Sequence, residues 1–291
     1  MDRREFLRLL AIAGVATGGG GCAATGRTTA TDIYGAKPFG QARLMHFTDC
    51  HAQLLPIYFR EPNVNLGFGD AFNRPPHLVG DALLEYAGIE PRSRFAHAIS
   101  HLDFTDAARL YGKVGGFAHL RTLVNRLREE YAEGSSLLLD GGDTWQGSGT
   151  AYWTRGRDMV GACNLLGVDV MTGHWEFTYQ DSEVSRNIDE FAGDFVAQNV
   201  FLTDDAMFDG AAAYDEDSGH VFQPYTLRNL GGHTIAVIGQ AFPYTPIANP
   251  SRFIPDWTFG IRPGELQSLV DHIHGAHGPD AVILLSHNGM D

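Results

Sequence analysis

Short apolar runs with polar residues gathered just past their ends constrain this chain more than any other feature. Residues 43–49 read as a strand whose last positions turn polar, and Ser136-Leu137-Leu138-Leu139-Asp140 is a continuous apolar run of the kind a buried sheet strand shows. Residues 168–172, 195–200 and 281–286 repeat the pattern, and 221–227 with 234–239 read as a hairpin-type pair around Gly231-Gly232. Between them, Phe117, Leu120, Leu123, Val124, Leu127 and Tyr131 fall at helical spacing, which predicts an amphipathic helix over 116–131. Further helices are expected over 157–166, 181–191 and 264–274. The segment 52–112 carries Pro, Asn, Gly and scattered aromatics with weak periodicity and reads as an ordered insertion with short helices at 79–86 and 105–111. Strand, loop, helix, strand in repetition is an α/β pattern, and such a sheet collects its chemistry at the C-terminal ends of its strands.

Composition excludes several classes. The 35 Gly and 13 Pro among 291 residues follow no collagen-like period, so they describe a loop-rich globular protein. Acidic residues outnumber basic ones by 35 to 21, a net charge of -14, and no window carries the basic footprint a nucleic-acid binder needs. Residues 1–27 read as a twin-arginine export signal: Arg3-Arg4 lead into an apolar stretch at 9–17 too short to span a bilayer, followed by four glycines and Cys22-Ala23-Ala24. That predicts a periplasmic protein folded, with its metal, before export. Cys22 weakly resembles a lipidation site, although Gly19 stands where such sites favour Leu. Residues 28–42 read as a linker or N-terminal arm, and 43–291 as the catalytic domain. Cys50 and Cys163 are expected as two unpaired thiols, the second on the buried face of a helix.

Strand ends supply Asp49 and His51, Asp143, His174, and His287. A single His after a strand is an ordinary loop residue. Together these form an ordered set of carboxylates and imidazoles at the edge where a sheet converges its loops, which is what a two-metal hydrolase requires. A carboxylate bridging two ions needs a tight turn beside it, and Gly141-Gly142 precede Asp143. Other groups read as structural or open: Arg60, Arg74, Arg92 and Arg94 in the insertion as surface arginines able to steer an anion, and Trp145 and Tyr179 as either core or channel wall. His272, His274 and His277 do not share one helix face and read as surface, and the i, i+4 pair His97 and His101 has no carboxylate or Cys partner nearby.

Four motifs carry a resemblance: Phe47-Thr48-Asp49-Cys50-His51-Ala52-Gln53-Leu54, Gly115-Gly116-Phe117-Ala118-His119-Leu120, Asp140-Gly141-Gly142-Asp143-Thr144-Trp145-Gln146-Gly147-Ser148, and Thr172-Gly173-His174-Trp175-Glu176-Phe177-Thr178-Tyr179. From about residue 43 onward the chain resembles the calcineurin-type metallophosphoesterases of the 5'-nucleotidase family, and within it the thiosulfohydrolases of the Sox sulfur-oxidation system. The resemblance implies a four-layer α/β/β/α sandwich with two mixed sheets between helices. It implies Asp49 and His51 on a first metal, Asp143 bridging, and His174 with His287 on a second, the ions being two manganese; the ligand types also suit zinc or iron. It implies as substrate a cysteine S-thiosulfonate on a SoxYZ-type carrier protein, with no nucleic acid and no membrane span.

The departures from the nucleotidase pattern are informative. Nucleotidases carry Gly-Asn-His-Glu where this chain has Gly173-His174-Trp175-Glu176, and an Asp where it has Thr178. The resemblance thus places Asp143, His174 and Trp175 in the catalytic centre without the His-Asp dyad that assists an alkoxide leaving group. An indole exchanges no proton at neutral pH, so a phosphomonoester is a poor substrate, whereas a persulfide leaves as a stable anion. Family members continue past the position of Asp291 into a Gly-His-x-His segment with one further ligand per metal, and into a C-terminal domain. A chain that stops at Asp291 is therefore expected to bind metal weakly and turn over slowly. The alternatives are a periplasmic 5'-nucleotidase or phosphodiesterase, and a metal-depleted, non-catalytic module that docks the carrier.

Overall fold

The computed structural model describes residues 40–59 and 62–288. The export signal at 1–27 with Cys22, all but the end of the linker, and Arg60 lie outside the described residues. In chain order the elements are β1 (Arg43–Phe47), α1 (Gly80–Ala87), α2 (Arg94–Ile99), α3 (Phe104–Tyr111), α4 (Phe117–Glu129), β2 (Ser136–Asp140), α5 (Gly149–Thr154), α6 (Arg157–Leu166) and β3 (Val170–Met171). They continue as α7 (Asp181–Glu190), β4 (Asp194–Phe195), β5 (Phe201–Leu202), α8 (Asp204–Phe208), β6 (Tyr225–Leu230), β7 (His233–Gln240), α9 (Thr245–Ala248), β8 (Trp257–Thr258), α10 (Pro263–His277) and β9 (Ala281–Ser286). The described residues fall into two compact units: 59 with 62–111, and 40–58 with 112–288. The smaller unit packs Leu84, Ile89 and Ala96 against Phe95, Ile99 and Leu102, and Ser93 caps α2 by accepting the Ala96 N–H at 3.1 Å.

The larger unit is built in four layers, and the period of two along its strands explains why. β1-β2-β3-β4 form one sheet and β6-β7-β9 another. Leu137 and Leu139 of β2 face a core that also contains Ile235 and Val237 of β7 and Leu285 of β9, so this cluster lies between the sheets. Leu138, the residue between, turns to the opposite face and joins Val124 of α4 and Met159, Val160 and Cys163 of α6. Ala236 and Ile238 alternate in the same way on β7 and pack on Ile273 of α10. Residues on strands alternate faces, so two strand faces and two helix layers are filled from one repeating pattern. The order is helices, parallel sheet, second sheet, α10.

β2 and β9 have the expected boundaries, as does α6. The first sheet differs from the expectation of two mixed sheets: β1-β2, β2-β3 and β3-β4 are all parallel, and only the second is mixed, with β6-β7 antiparallel and β7-β9 parallel. Loop-helix crossovers between successive strands dictate the parallel pairing. The expected strand at 195–200 is also corrected. Pairing ends at Phe195, after which the Ala197 N–H donates to the Gln223 carbonyl and the Gln198 N–H to the Gly239 carbonyl. The run is buried while crossing from one sheet to the other, and burial does not require a ladder. His97 and His101, whose spacing lacked a partner ligand, do not share a helix, because α2 ends at Ile99; the His97 ring lies 6.1 Å from the rings of Phe104 and Tyr111. Cys50 and Cys163 are both free. Among the described residues no helix is long and apolar enough to cross a membrane.

Candidate metal centre

β1 and β2 run parallel, and their pairing continues past the strands as a bond between two loops. The N–H groups of Asp49, His51 and Ala52 donate to the carbonyls of Gly142, Asp143 and Thr144 at 3.0, 2.9 and 3.0 Å. Both loops bend through the left-handed region to do this: φ is 55° at Asp49, 47° at His51, 52° at Ala52 and 58° at Asp143. Each such residue without a glycine's freedom costs about 1–3 kcal/mol, and clusters of them mark sites whose surroundings hold them in place. Gly142, at φ 95°, is required twice over, since a Cβ there would stand 2.9 Å from the Thr172 carbonyl oxygen.

The structure brings all five sequence-predicted ligands together in two triads that share Asp143: Asp49, His51 and Asp143, and Asp143, His174 and His287, with the donor atoms of each within 4.8 Å of one another. Asp143 Oδ2 lies 3.1 Å from His174 Nδ1 and 3.4 Å from His51 Nε2. Asp49 Oδ1 lies 3.9 Å from His51 Nε2 and 3.8 Å from His287 Nε2. His287 Nδ1 donates to the Gly141 carbonyl at 2.7 Å, which leaves Nε2 with its lone pair turned toward the triads, the arrangement that metal-ligating histidines adopt. Exposure is graded: His51 and Asp49 side chains are 55% and 48% exposed, whereas His174 and His287 are 13% and 11%, so one triad opens to solvent and the other is enclosed.

Asp143 tests whether these residues suit a metal. Its Oδ1 is buried without a hydrogen-bond partner. An orphaned carboxylate oxygen inside a protein is costly, and two carboxylates with three imidazoles around it make a donor set that divalent ions of the manganese, iron and zinc class accept. The residues fit a dinuclear centre.

Beneath the loops Glu176 is fully buried and accepts four backbone N–H groups: Asp143 (3.1 Å) and His174 (2.7 Å) on Oε2, Thr144 (2.7 Å) and Trp145 (3.0 Å) on Oε1. Sequence reasoning assigned it no role. Its signal was there, since a lone carboxylate between Trp175 and Phe177 has to be paired if the turn is buried. Asp140 ends β2 with Oδ1 accepting from the Gly142 N–H and the Thr144 hydroxyl, and burial pushes its carboxyl well above the usual range, the charges of Glu176 and Asp49 acting in the same direction against those two bonds. Burial and the Asp140 charge push the Cys50 thiol up to about 12. Desolvation lowers His46, on β1, against the opposing pull of Asp49.

Trp175 follows His174 with ring centroids 4.9 Å apart, and the Thr178 hydroxyl donates to the Trp175 carbonyl at 2.7 Å. Trp145 and Tyr179 are core and line no channel: both are buried, and the Tyr179 hydroxyl donates to the Trp145 carbonyl at 3.0 Å. Arg74, Arg92 and Arg94 are exposed on the smaller unit, Arg92 pairing with Asp103 at 3.2 Å. His272, His274 and His277 are exposed on α10, as the spacing predicts.

No protein-family model matches the chain. Rat (Rattus norvegicus) 5'-nucleotidase is 31% identical over 183 residues, which is 61% of this chain and 29% of that protein. The UshA protein of Yersinia enterocolitica is 28% identical over 178 residues, 60% of this chain and 30% of that one. Among solved structures, the sulfate thiohydrolase SoxB of Thermus thermophilus superposes with a TM-score of 0.74 at 36% identity, over 87% of this chain and 45% of that one. The calcineurin-like phosphoesterase YfkN of Bacillus subtilis, at 15% identity and a TM-score of 0.55, covers 86% of this chain and 63% of that one and shares the fold. The chain thus spans less than a third of the curated relatives cited and less than half of SoxB. With two triads on a four-layer sandwich, the chain shares the calcineurin-like metallophosphoesterase fold and is similar in sequence to 5'-nucleotidases and to SoxB.

Proposed function

We propose that this protein is an exported thiosulfohydrolase that releases sulfate from an S-sulfosulfanyl cysteine on a SoxYZ-type carrier. The observation that carries the reading is Trp175 beside His174, with Thr178 engaged by the Trp175 carbonyl, where a nucleotidase places an Asn-His pair and an Asp. The likeness to SoxB at 36% identity supports it, and residues 1–27 support the twin-arginine route to the periplasm.

Asp49, His51 and Asp143 would hold one divalent ion and Asp143, His174 and His287 a second, both manganese in this reading. Two such ions supply charge to the sulfonate oxygens and lower the pKa of water. The chain's own residues do the rest. Asp143, fixed by the Glu176 carboxylate through its backbone, holds both triads in one register. His287 donates Nδ1–H to the Gly141 carbonyl, which turns Nε2 toward the triads. Trp175 brings an apolar ring to the edge of the site and offers no proton there. In the balanced reaction, water oxygen bonds to the sulfonate sulfur and the adjoining sulfur-sulfur bond breaks. Its electron pair leaves on the carrier persulfide, and two protons pass to solvent with sulfate. A persulfide anion needs little protonation, so a site without an acid suffices.

The deciding experiment compares, on manganese-loaded protein, sulfate release from a thiosulfonated carrier cysteine with phosphate release from AMP. Sulfate without phosphate is expected; phosphate without sulfate returns the protein to the nucleotidases.

A further inference from the structure

The two imidazoles of the enclosed triad are held differently. His287 is oriented by a hydrogen bond to Gly141. His174, among the described residues, bonds through its ring only to Asp143, itself a member of the triad, so no acceptor outside the ligand set fixes its plane. Rings fix it instead. Phe242, just past the end of β7, sits with its ring 4.3 Å from the His174 ring at 62° and 6.2 Å from the His287 ring at 86°. The two imidazoles are 4.3 Å apart. The Phe242 backbone is tied to the loop that carries His174, because its N–H donates to the Gly173 carbonyl at 3.1 Å, and the preceding Ala241 is anchored by its N–H on Asn199 Oδ1 at 2.9 Å. A ring wedged edge-on against two imidazoles, on a backbone hydrogen-bonded to the loop that carries one of them, restricts rotation about the His174 side chain.

We infer that Phe242 is a positioning residue for the second metal: by packing against both His174 and His287 it does for His174 what the Gly141 carbonyl does for His287. The inference rests on the dinuclear reading and adds to it a residue that coordinates nothing. Asp49 and His51 make no ring contact with Phe242, so its influence falls on one triad. Loss of an orienting partner of a ligating histidine lowers metal affinity about 10- to 100-fold.

Manganese alone is the probe. In Phe242→Ala, titration with manganese followed by calorimetry and electron paramagnetic resonance is expected to show one ion bound as in the parent and the other weakened about 10- to 100-fold. The coupled-pair spectrum is then replaced by that of a single ion at intermediate loading. Phe242→Tyr, which keeps the ring, is expected to restore both. If Phe242→Ala does not fold, Phe242→Leu, which keeps apolar bulk but not the planar edge, is expected to give the same selective loss. Two ions bound by the alanine or leucine variant as tightly as by the parent, or an equal loss at both sites, would overturn the assignment alone. A parent that binds no second ion even at saturating manganese would overturn the dinuclear reading, and the assignment with it.

Discussion

Glu176 holds Asp143 by the backbone, its Oε2 accepting the Asp143 N–H at 3.1 Å while the same oxygen accepts the His174 N–H at 2.7 Å. One buried carboxylate therefore sets the spacing between the shared ligand and a ligand that only one triad uses. Replacing it with alanine leaves four buried N–H groups unpartnered, at about 1–3 kcal/mol each before relaxation. Glu176→Ala is expected to lose about 3–5 kcal/mol of stability by urea unfolding and to bind manganese more weakly at both sites. Unchanged unfolding with normal metal uptake would show that the four bonds are dispensable.

Asp140 makes stability fall with rising pH. Burial raises its folded-state pKa above the ordinary 3.8, so the folded protein keeps a proton that the unfolded chain gives up. Its contribution is complete below the unfolded pKa and is lost as pH climbs toward the raised folded value. Asp140→Asn imitates the protonated acid at every pH. Metal-free variant and parent are expected to be of similar stability near pH 4, with the variant gaining on the parent as pH rises to 8. Unfolding curves whose difference stays constant over that range would contradict this.

Much of this was legible in the sequence. All five ligands sat after apolar runs, and β2 and β9 could be bounded because their runs are flanked by turn residues and end on polar side chains. Legibility failed where burial and pairing part company: residues 196–200 are as buried as a core strand yet cross between sheets, with Gln198 and Asn199 hydrogen-bonded along the way. It failed again where a role depends on contact across the fold. Phe242 reads as any aromatic after a strand until the His174 ring is placed against it, and Glu176 bonds a loop 31 to 33 positions upstream.

Trp175→His tests the leaving-group account. If the missing acid is what excludes phosphomonoesters, the variant is expected to acquire measurable phosphate release from AMP while its sulfate release falls, because the new imidazole does not replace the indole as an apolar surface. A variant with full sulfate release and no phosphatase activity would leave that account without support.

Cys50 lies between two ligands, and its thiol is pushed up to about 12. The thiolate fraction near pH 8 is then about one in 10,000, and reactivity follows the thiolate. Alkylation of native Cys50 by iodoacetamide at pH 8 is expected to be at least ~100-fold slower than that of a free thiol, read by mass spectrometry. Cys163, buried and likewise raised, is expected to stay unlabelled until the protein unfolds. Prompt labelling of Cys50 would mean that its loop opens to solvent.

Asp49, Asp143 and His174 hang from the all-parallel sheet, whereas His287 follows β9 of the other. The seam between the sheets therefore passes through the ion-binding centre. A slip of one sheet over the other, too small to disturb either hydrogen-bond ladder, shifts His287 relative to the other four ligands and moves Phe242 against His174. Methyl groups removed from Leu139 or Val237, deep in that seam and themselves coordinating nothing, would be felt as a change in the grip on one ion of the pair, so the second ion is in effect a gauge of how well the two halves of the sandwich fit.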